Sequence, residues 1–304
     1  MWYKYRSTTQ AILFMSLTST NLVGYLRAEF SKSAKLRLWL FILQLLAAIP
    51  GGVAVLIPDH YGDALYALAF FSVTLLALWW FVNAQYTRIR AAGQAALRGA
   101  LLLGGLNETL SPNEAQALRE RFTVKASEAA KREKADYYAT TLAPGPARLG
   151  EMLEESAFYS ERLQQTSAKV MLAILVVFAI ISALIAFGIT PYVGRDVGQS
   201  ITRFFLALVV FAMSADVFGA YRAHRDAAKE IRDIRQRLIA ADAAQYPLAD
   251  VLLAYADYHS AVEAAPEIVP YAYSLQADQL NEGWAIYQRD RDERRTETAR
   301  ERPK

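Results

Sequence analysis

Two groups of residues in this 304-residue chain carry side chains suited to more than holding a fold. The first is Arg119, Arg121, Lys125, Lys131, Arg132, Lys134, Tyr137 and Tyr138. Guanidinium and ammonium groups hold phosphate oxygens, and phenol rings offer flat faces on which bases stack, so this set suits a nucleotide ligand. The same run also reads as a solvated helix face, or as one that attracts anionic lipid. The second group lies in apolar surroundings. Asp216, with Ser214 beside it, falls inside a long apolar run, where an aspartate costs about 2.5 to 3.5 kcal/mol at the centre of a membrane helix. Such an acid lines a conduction path or touches a neighbouring subunit; alternatively it reaches the cytoplasmic interface and pairs with Arg222. Pro50, Gly51 and Gly52 interrupt another apolar run and leave carbonyls free there, which permits either a static kink or a gating pivot. Gln44 is one of the few polar side chains in that run.

Other chemistries are excluded or unsupported. With no cysteine the chain has no disulfide, thiolate metal site or Cys nucleophile. The histidines, His60, His224 and His259, are scattered, and neither a phosphate-cradling glycine loop nor paired catalytic carboxylates are visible. The reading is therefore of a protein that is not an enzyme and holds no metal or cofactor.

The elements that must position these residues are set by hydrophobicity. Residues 38–57, 64–82, 170–189 and 204–221 each offer about 18 to 20 mostly apolar positions, against the ~20 needed to cross ~30 Å of hydrocarbon. In lipid each backbone amide must find its partner within the segment, so these runs are expected to be helices. The expected fold is an all-α polytopic membrane protein, with four transmembrane helices in two hairpins and a helical cytoplasmic domain. Few polar side chains line the runs, so a single protomer cannot enclose a wet channel; a homo-oligomer is expected in the lipid bilayer.

Charge placement orients the chain. Arg27, Lys32, Lys35 and Arg37 precede the first run, Arg88, Arg90 and Arg98 follow the second, and Arg222, Arg225, Lys229, Arg232, Arg235 and Arg237 follow the fourth. Positively charged segments stay in the cytoplasm, so both termini and the central region belong there. The segments are then 1–37, an amphipathic N-terminal helix rather than a cleaved signal; 38–83, the first hairpin; 84–169, a cytoplasmic helical domain; 170–221, the second hairpin; 222–288, C-terminal helices; and 289–304, a charged, disordered tail.

Within the central domain, Ser111 as N-cap, Pro112 at the first helical position and Glu114 at the third start a helix expected to reach Ala139. From Arg148 a second helix is expected to run unbroken into the third span. After the fourth span, Ala227, Ile231, Ile234 and Leu238 recur at four- and three-residue steps and make an apolar seam that needs a partner helix. Tyr255, Tyr258, Tyr271, Tyr273, Trp284 and Tyr287 read as core of the last helices.

Phe158-Tyr159-Ser160-Glu161-Arg162-Leu163 before the third span, Arg225-Asp226-Ala227-Ala228-Lys229-Glu230-Ile231 after the fourth, Ser33-Ala34-Lys35 and Asp136-Tyr137-Tyr138 together resemble the SMODS-associating four-transmembrane effectors. The resemblance covers most of the chain from about residue 21 to 284. It implies a bacterial anti-phage effector of the inner membrane, paired with a cyclic-nucleotide synthase and permeabilising that membrane when a cyclic oligonucleotide accumulates. The basic and tyrosine set above would then receive the cyclic oligonucleotide. No DNA or RNA polymer is expected as a partner. Two other readings stand beside it: a transporter or ion channel using Asp216, and a membrane-anchored signalling scaffold recruiting a partner through the seam.

Overall fold

The computed structural model describes residues 17–54, 57, 61–189, 192, 194, 198–199, 201–202, 204 and 217–301. Among these the chain is helical: α1 Ser19–Ala54, α2 Gly62–Leu106, α3 Pro112–Arg121, α4 Ala126–Ala130, α5 Pro146–Ala183 closed by a π-turn Leu184–Ile189, α6 Phe218–Ala243, α7 Leu248–Ala264 and α8 Ala272–Glu301. Asp216, Ser214 and residues 1–16 lie outside the described residues.

Two helix pairs organise the described residues. α1 and α2 pack antiparallel along their length. Ser19 meets α2 near Gly104, Leu22 near Gly99 and Phe30 near Gly93. α5 and α6 form the second pair. The pairs join where Gly105 meets Leu149: a Cβ on Gly105 would lie 2.7 Å from the Leu149 Cα, so only glycine admits this crossing. α7 packs against α2, α5 and α6, and α8 packs against α5. One core unites the two pairs with α7, built from Leu26, Leu101, Leu149, Met152, Leu153, Ile231, Leu238, Val251 and Tyr258 among others, and α8 joins α5 through a smaller cluster of Leu163, Ala272 and Leu280.

At the opposite end the surface inverts. Leu38, Trp39, Leu45, Leu46 and Ile49 on α1, Tyr66 to Phe81 on α2, and Leu172 to Phe187 on α5 expose large apolar side chains, with Phe70 at 76% and Phe187 at 81%. Two helical runs, Gly62–Leu106 and Pro146–Gly188, are long and apolar enough to cross a bilayer. At ~1.5 Å per residue the 45 residues of α2 extend roughly twice the thickness of the hydrocarbon, so the same helix serves both ends of the molecule.

Several expectations are corrected. α1 stays helical through Pro50 to Ala54, so Pro50, Gly51 and Gly52 do not break it; Pro50 is buried, and Gln44 is half-buried. The Ser111 cap is present, its hydroxyl accepting from the Glu114 amide at 3.3 Å, but α3 stops at Arg121 and not at Ala139. The cause is distant in sequence: the buried Glu29 carboxylate accepts from the Thr123 amide at 2.5 Å, the Thr123 hydroxyl at 2.7 Å and the Val124 amide at 3.0 Å, holding that stretch extended. Residues 289–301 are not a disordered tail but the end of α8. The seam of Ala227, Ile231, Ile234 and Leu238 is buried within the chain itself, with Ile231, Ile234 and Leu238 in the core beside residues of α5 and α7. Its partner helices are therefore internal.

Candidate functional site: a polar collar below the apolar belt

The link between α7 and α8, residues 265–271, carries Pro266 and Pro270, which lack amide protons and cannot continue a helix. Its polar groups are satisfied by the surrounding helices instead. Arg90 on α2 donates to the carbonyls of Val262, at 3.1 Å, Glu263, at 3.2 Å, and Ala265, closing the C-terminus of α7. Glu267 accepts from Ser33 on α1 at 3.2 Å and from the Tyr86 hydroxyl on α2 at 3.3 Å, and pairs with Arg90 at 3.4 Å. Gln164 on α5 donates to the Pro266 carbonyl at 3.0 Å, and the Val269 amide donates to Ser167 at 3.1 Å.

Gln164 extends the network to α6. Because its Nε2 faces the Pro266 carbonyl, its Oε1 faces His224 Nδ1, so that nitrogen carries the proton of a neutral ring. Burial pushes the His224 pKa down to about 4, with Arg37 adding repulsion, which agrees with a neutral imidazole. Burial raises the Glu267 pKa, while Arg90 opposes the rise.

The collar has a fixed place along the helices. Leu38, Phe81 and Leu172, exposed residues of the apolar belt, each lie five positions from Ser33, Tyr86 and Ser167 in sequence. Five positions are about 7.5 Å of helix. Three helices thus change from polar, mutually tied surfaces to apolar, outward-facing ones at one level.

A second polar cluster lies between α5, α6 and α8, farther from the apolar belt. Glu151, Glu154, Glu155 and Glu161 are buried on α5. Glu151 receives Arg295 at 2.7 Å, Arg291 at 3.3 Å and the Thr140 hydroxyl at 2.5 Å. Glu154 receives Arg291 at 3.3 Å and the Tyr287 hydroxyl. Glu161 pairs with Arg232 at 2.9 Å and Arg235 at 2.8 Å, and the Arg235 guanidinium also lies 5.1 Å from the ring centres of both Phe158 and Tyr287. Glu155 accepts from the Ala139 amide at 2.9 Å, yet burial outweighs that bond and raises its pKa to about 7. α8 is thereby clamped to α5 below the collar.

The residues expected to bind a nucleotide are spread out. Arg119 and Arg121 sit on α3, Lys125 caps α4, and Lys131, Arg132, Lys134, Tyr137 and Tyr138 follow it. Arg132 donates to the Arg27 carbonyl at 3.2 Å while Arg27 donates to that of Arg132 at 2.7 Å, so this cation fastens α1. Tyr138 packs against the core, and Tyr137 meets it edge-on at 4.9 Å. Two surface cavities, of about 210 and 460 Å³, are lined by other residues. Among the described residues no cluster of three or more His, Asp or Glu could hold a metal ion.

Sequence reasoning missed the collar and the α5–α8 clamp. The usable signals were glutamates at 151, 154, 155 and 161, which share a helix face, and Trp284, Tyr287, Arg291 and Arg295, spaced three and four apart. The class defined by fold and site is an all-helical protein with two helices fit to span a membrane. Comparison with family models, with curated proteins and with solved structures found no match to this chain.

Proposed function

We propose that the protein is a four-span effector of a bacterial inner membrane, with its helical bundle in the cytoplasm, that permeabilises the membrane as an oligomer when a nucleotide signal reaches the bundle. The observation that carries the reading is the continuity of α1, α2 and α5 from a buried polar collar into an exposed apolar belt. A helix that runs unbroken through that level transmits any repacking of the bundle to its membrane end. The collar then works as a latch: with Glu267 seated, the bundle is shut. Spans 38–57 and 204–221 complete the two hairpins in this reading, and the resemblance to SMODS-associating effectors supplies the cyclic oligonucleotide as the signal.

The test is membrane potential in cells carrying the protein with an oligonucleotide cyclase. Depolarisation should require the cyclase in the wild type, and Glu267→Ala, which frees Arg90, Tyr86 and Ser33 at once, should depolarise without it. Unchanged potential in both, with the protein in the membrane and ligand bound, contradicts the proposal.

A further inference from the structure

The cavity of about 460 Å³ lies between α5 and α6, at the level where α5 begins to expose apolar side chains. Its lining from α5 is Gln165, Ala168, Lys169 and Leu172, spaced three and four apart on one helix face. α6 contributes Tyr221, Arg225, Ala228, Lys229 and Arg232, again one face. Two small residues, Ala168 and Ala228, form the floor, and four cations form the rim.

Arg232 is partly engaged by Glu161. Lys169, Arg225 and Lys229 make no ion pair with any described residue. On α6, Asp226, Glu230 and Asp233 lie more than a quarter turn from the groove's centre at 100° per residue, and on α5 Glu161, which also accepts from Gln165 at 2.8 Å, is held by Arg232 and Arg235 at the groove's end. Three of the four rim cations, Lys169, Arg225 and Lys229, are therefore left to hold an anion, and the groove has room for a phosphate.

One end of the groove fixes the source of that phosphate. Leu172 opens an exposed apolar stripe that continues through Val176 and Ile180, while Tyr221 marks the same level on α6. A ligand seated here has an anion over Lys169, Arg225 and Lys229 and an apolar body alongside α5. We infer that this groove binds the phosphodiester headgroup of an anionic phospholipid, with its acyl chains along the outer face of α5. The inference rests on the membrane reading above, since a lipid must reach the site from the bilayer. Lipid seated between α5 and α6 bridges the second hairpin next to Gln164 and His224, so it would bias the collar toward the shut state.

The purified full chain, incorporated in nanodiscs of phosphatidylcholine with titrated phosphatidylglycerol, provides the test, read as retained lipid by native mass spectrometry. The wild type should retain phosphatidylglycerol over phosphatidylcholine. Arg225→Gln with Lys229→Gln should weaken that retention roughly 30-fold, from about a fivefold contribution per cation near a charged surface. Arg222→Gln, exposed and outside the groove, is the control and should bind as the wild type does. Equal retention by the double variant, or full displacement by millimolar inorganic phosphate, overturns the lipid site. Resistance of the wild type to alkaline extraction from membranes is measured in parallel: extraction would sink the membrane reading, whereas a failed site in a protein that resists extraction sinks this inference alone.

Discussion

The two ends of α5 hold the same helix in opposite solvents. At its start Leu149, Met152, Leu153 and Ala157 are fully buried, and beside them four glutamates are buried with bound cations or amides. At its far end Val177, Ile180, Leu184 and Phe187 face outward. In water the first arrangement buries apolar area and satisfies its charges; the distal one leaves apolar area uncovered, which water disfavours by about 25 cal/mol per Å² and a bilayer does not. The difference teaches that stability of the fold resides in the bundle, and that the belt contributes location.

That contrast can be broken most forcefully at Arg291. It is 4% exposed and neutralises Glu151 and Glu154 together. Arg291→Ala should cost about 3 to 5 kcal/mol, because removing one partner strands buried charge. Thermal melts in detergent measure it, and Phe70→Ala in the belt should leave the same melts nearly unchanged.

Next comes pH. Burial lowers the His259 pKa to about 3, and neither ring nitrogen has a hydrogen-bond partner among the described residues. The folded state keeps this ring neutral while the unfolded chain protonates near 6.5, so stability is full above pH 6.5 and falls as pH drops toward 3. His224 acts in the same sense. Glu155, held at about 7 by burial, acts oppositely: its contribution is present below the usual carboxylate range and is lost as pH rises through 7. Melting curves between pH 4.5 and 7.5 should show His259→Phe flattening the acid side and Glu155→Gln flattening the neutral side.

The smallest effect is expected at the surface. Arg237 and Asp257 form a close pair, but each side chain is 50% exposed. Arg237→Ala should change stability by less than about 1 kcal/mol, and still less in high salt.

The broad plan was legible because long apolar runs and the Ser111-Pro112-Glu114 cap are local signals. α5 does run unbroken from the bundle into its apolar end. The seam at 227, 231, 234 and 238 was legible as a buried face but not in its destination, since periodicity says that a face is covered and not by what. The alanines and charges of residues 122–139 predict a helix, yet Glu29, nearly a hundred positions away, captures two amides there. The tail reads as solvated because arginines normally are; only α5's glutamates, matched across the fold, make Arg291 an interior residue and Arg295 a half-buried one. Among the proposed site residues, the basic set was visible as charge, whereas the collar depends on single polar residues from four helices meeting one proline-bounded link.

Absence of cysteine makes the topology directly measurable, since any introduced thiol is the only one. Asp63→Cys at the start of α2 and Asp136→Cys in the central domain should be probed in intact cells with a membrane-impermeant maleimide. The account predicts labelling at position 63 from outside and labelling at 136 only after permeabilisation. Labelling of 136 in intact cells, or protection of 63 until lysis, would contradict it.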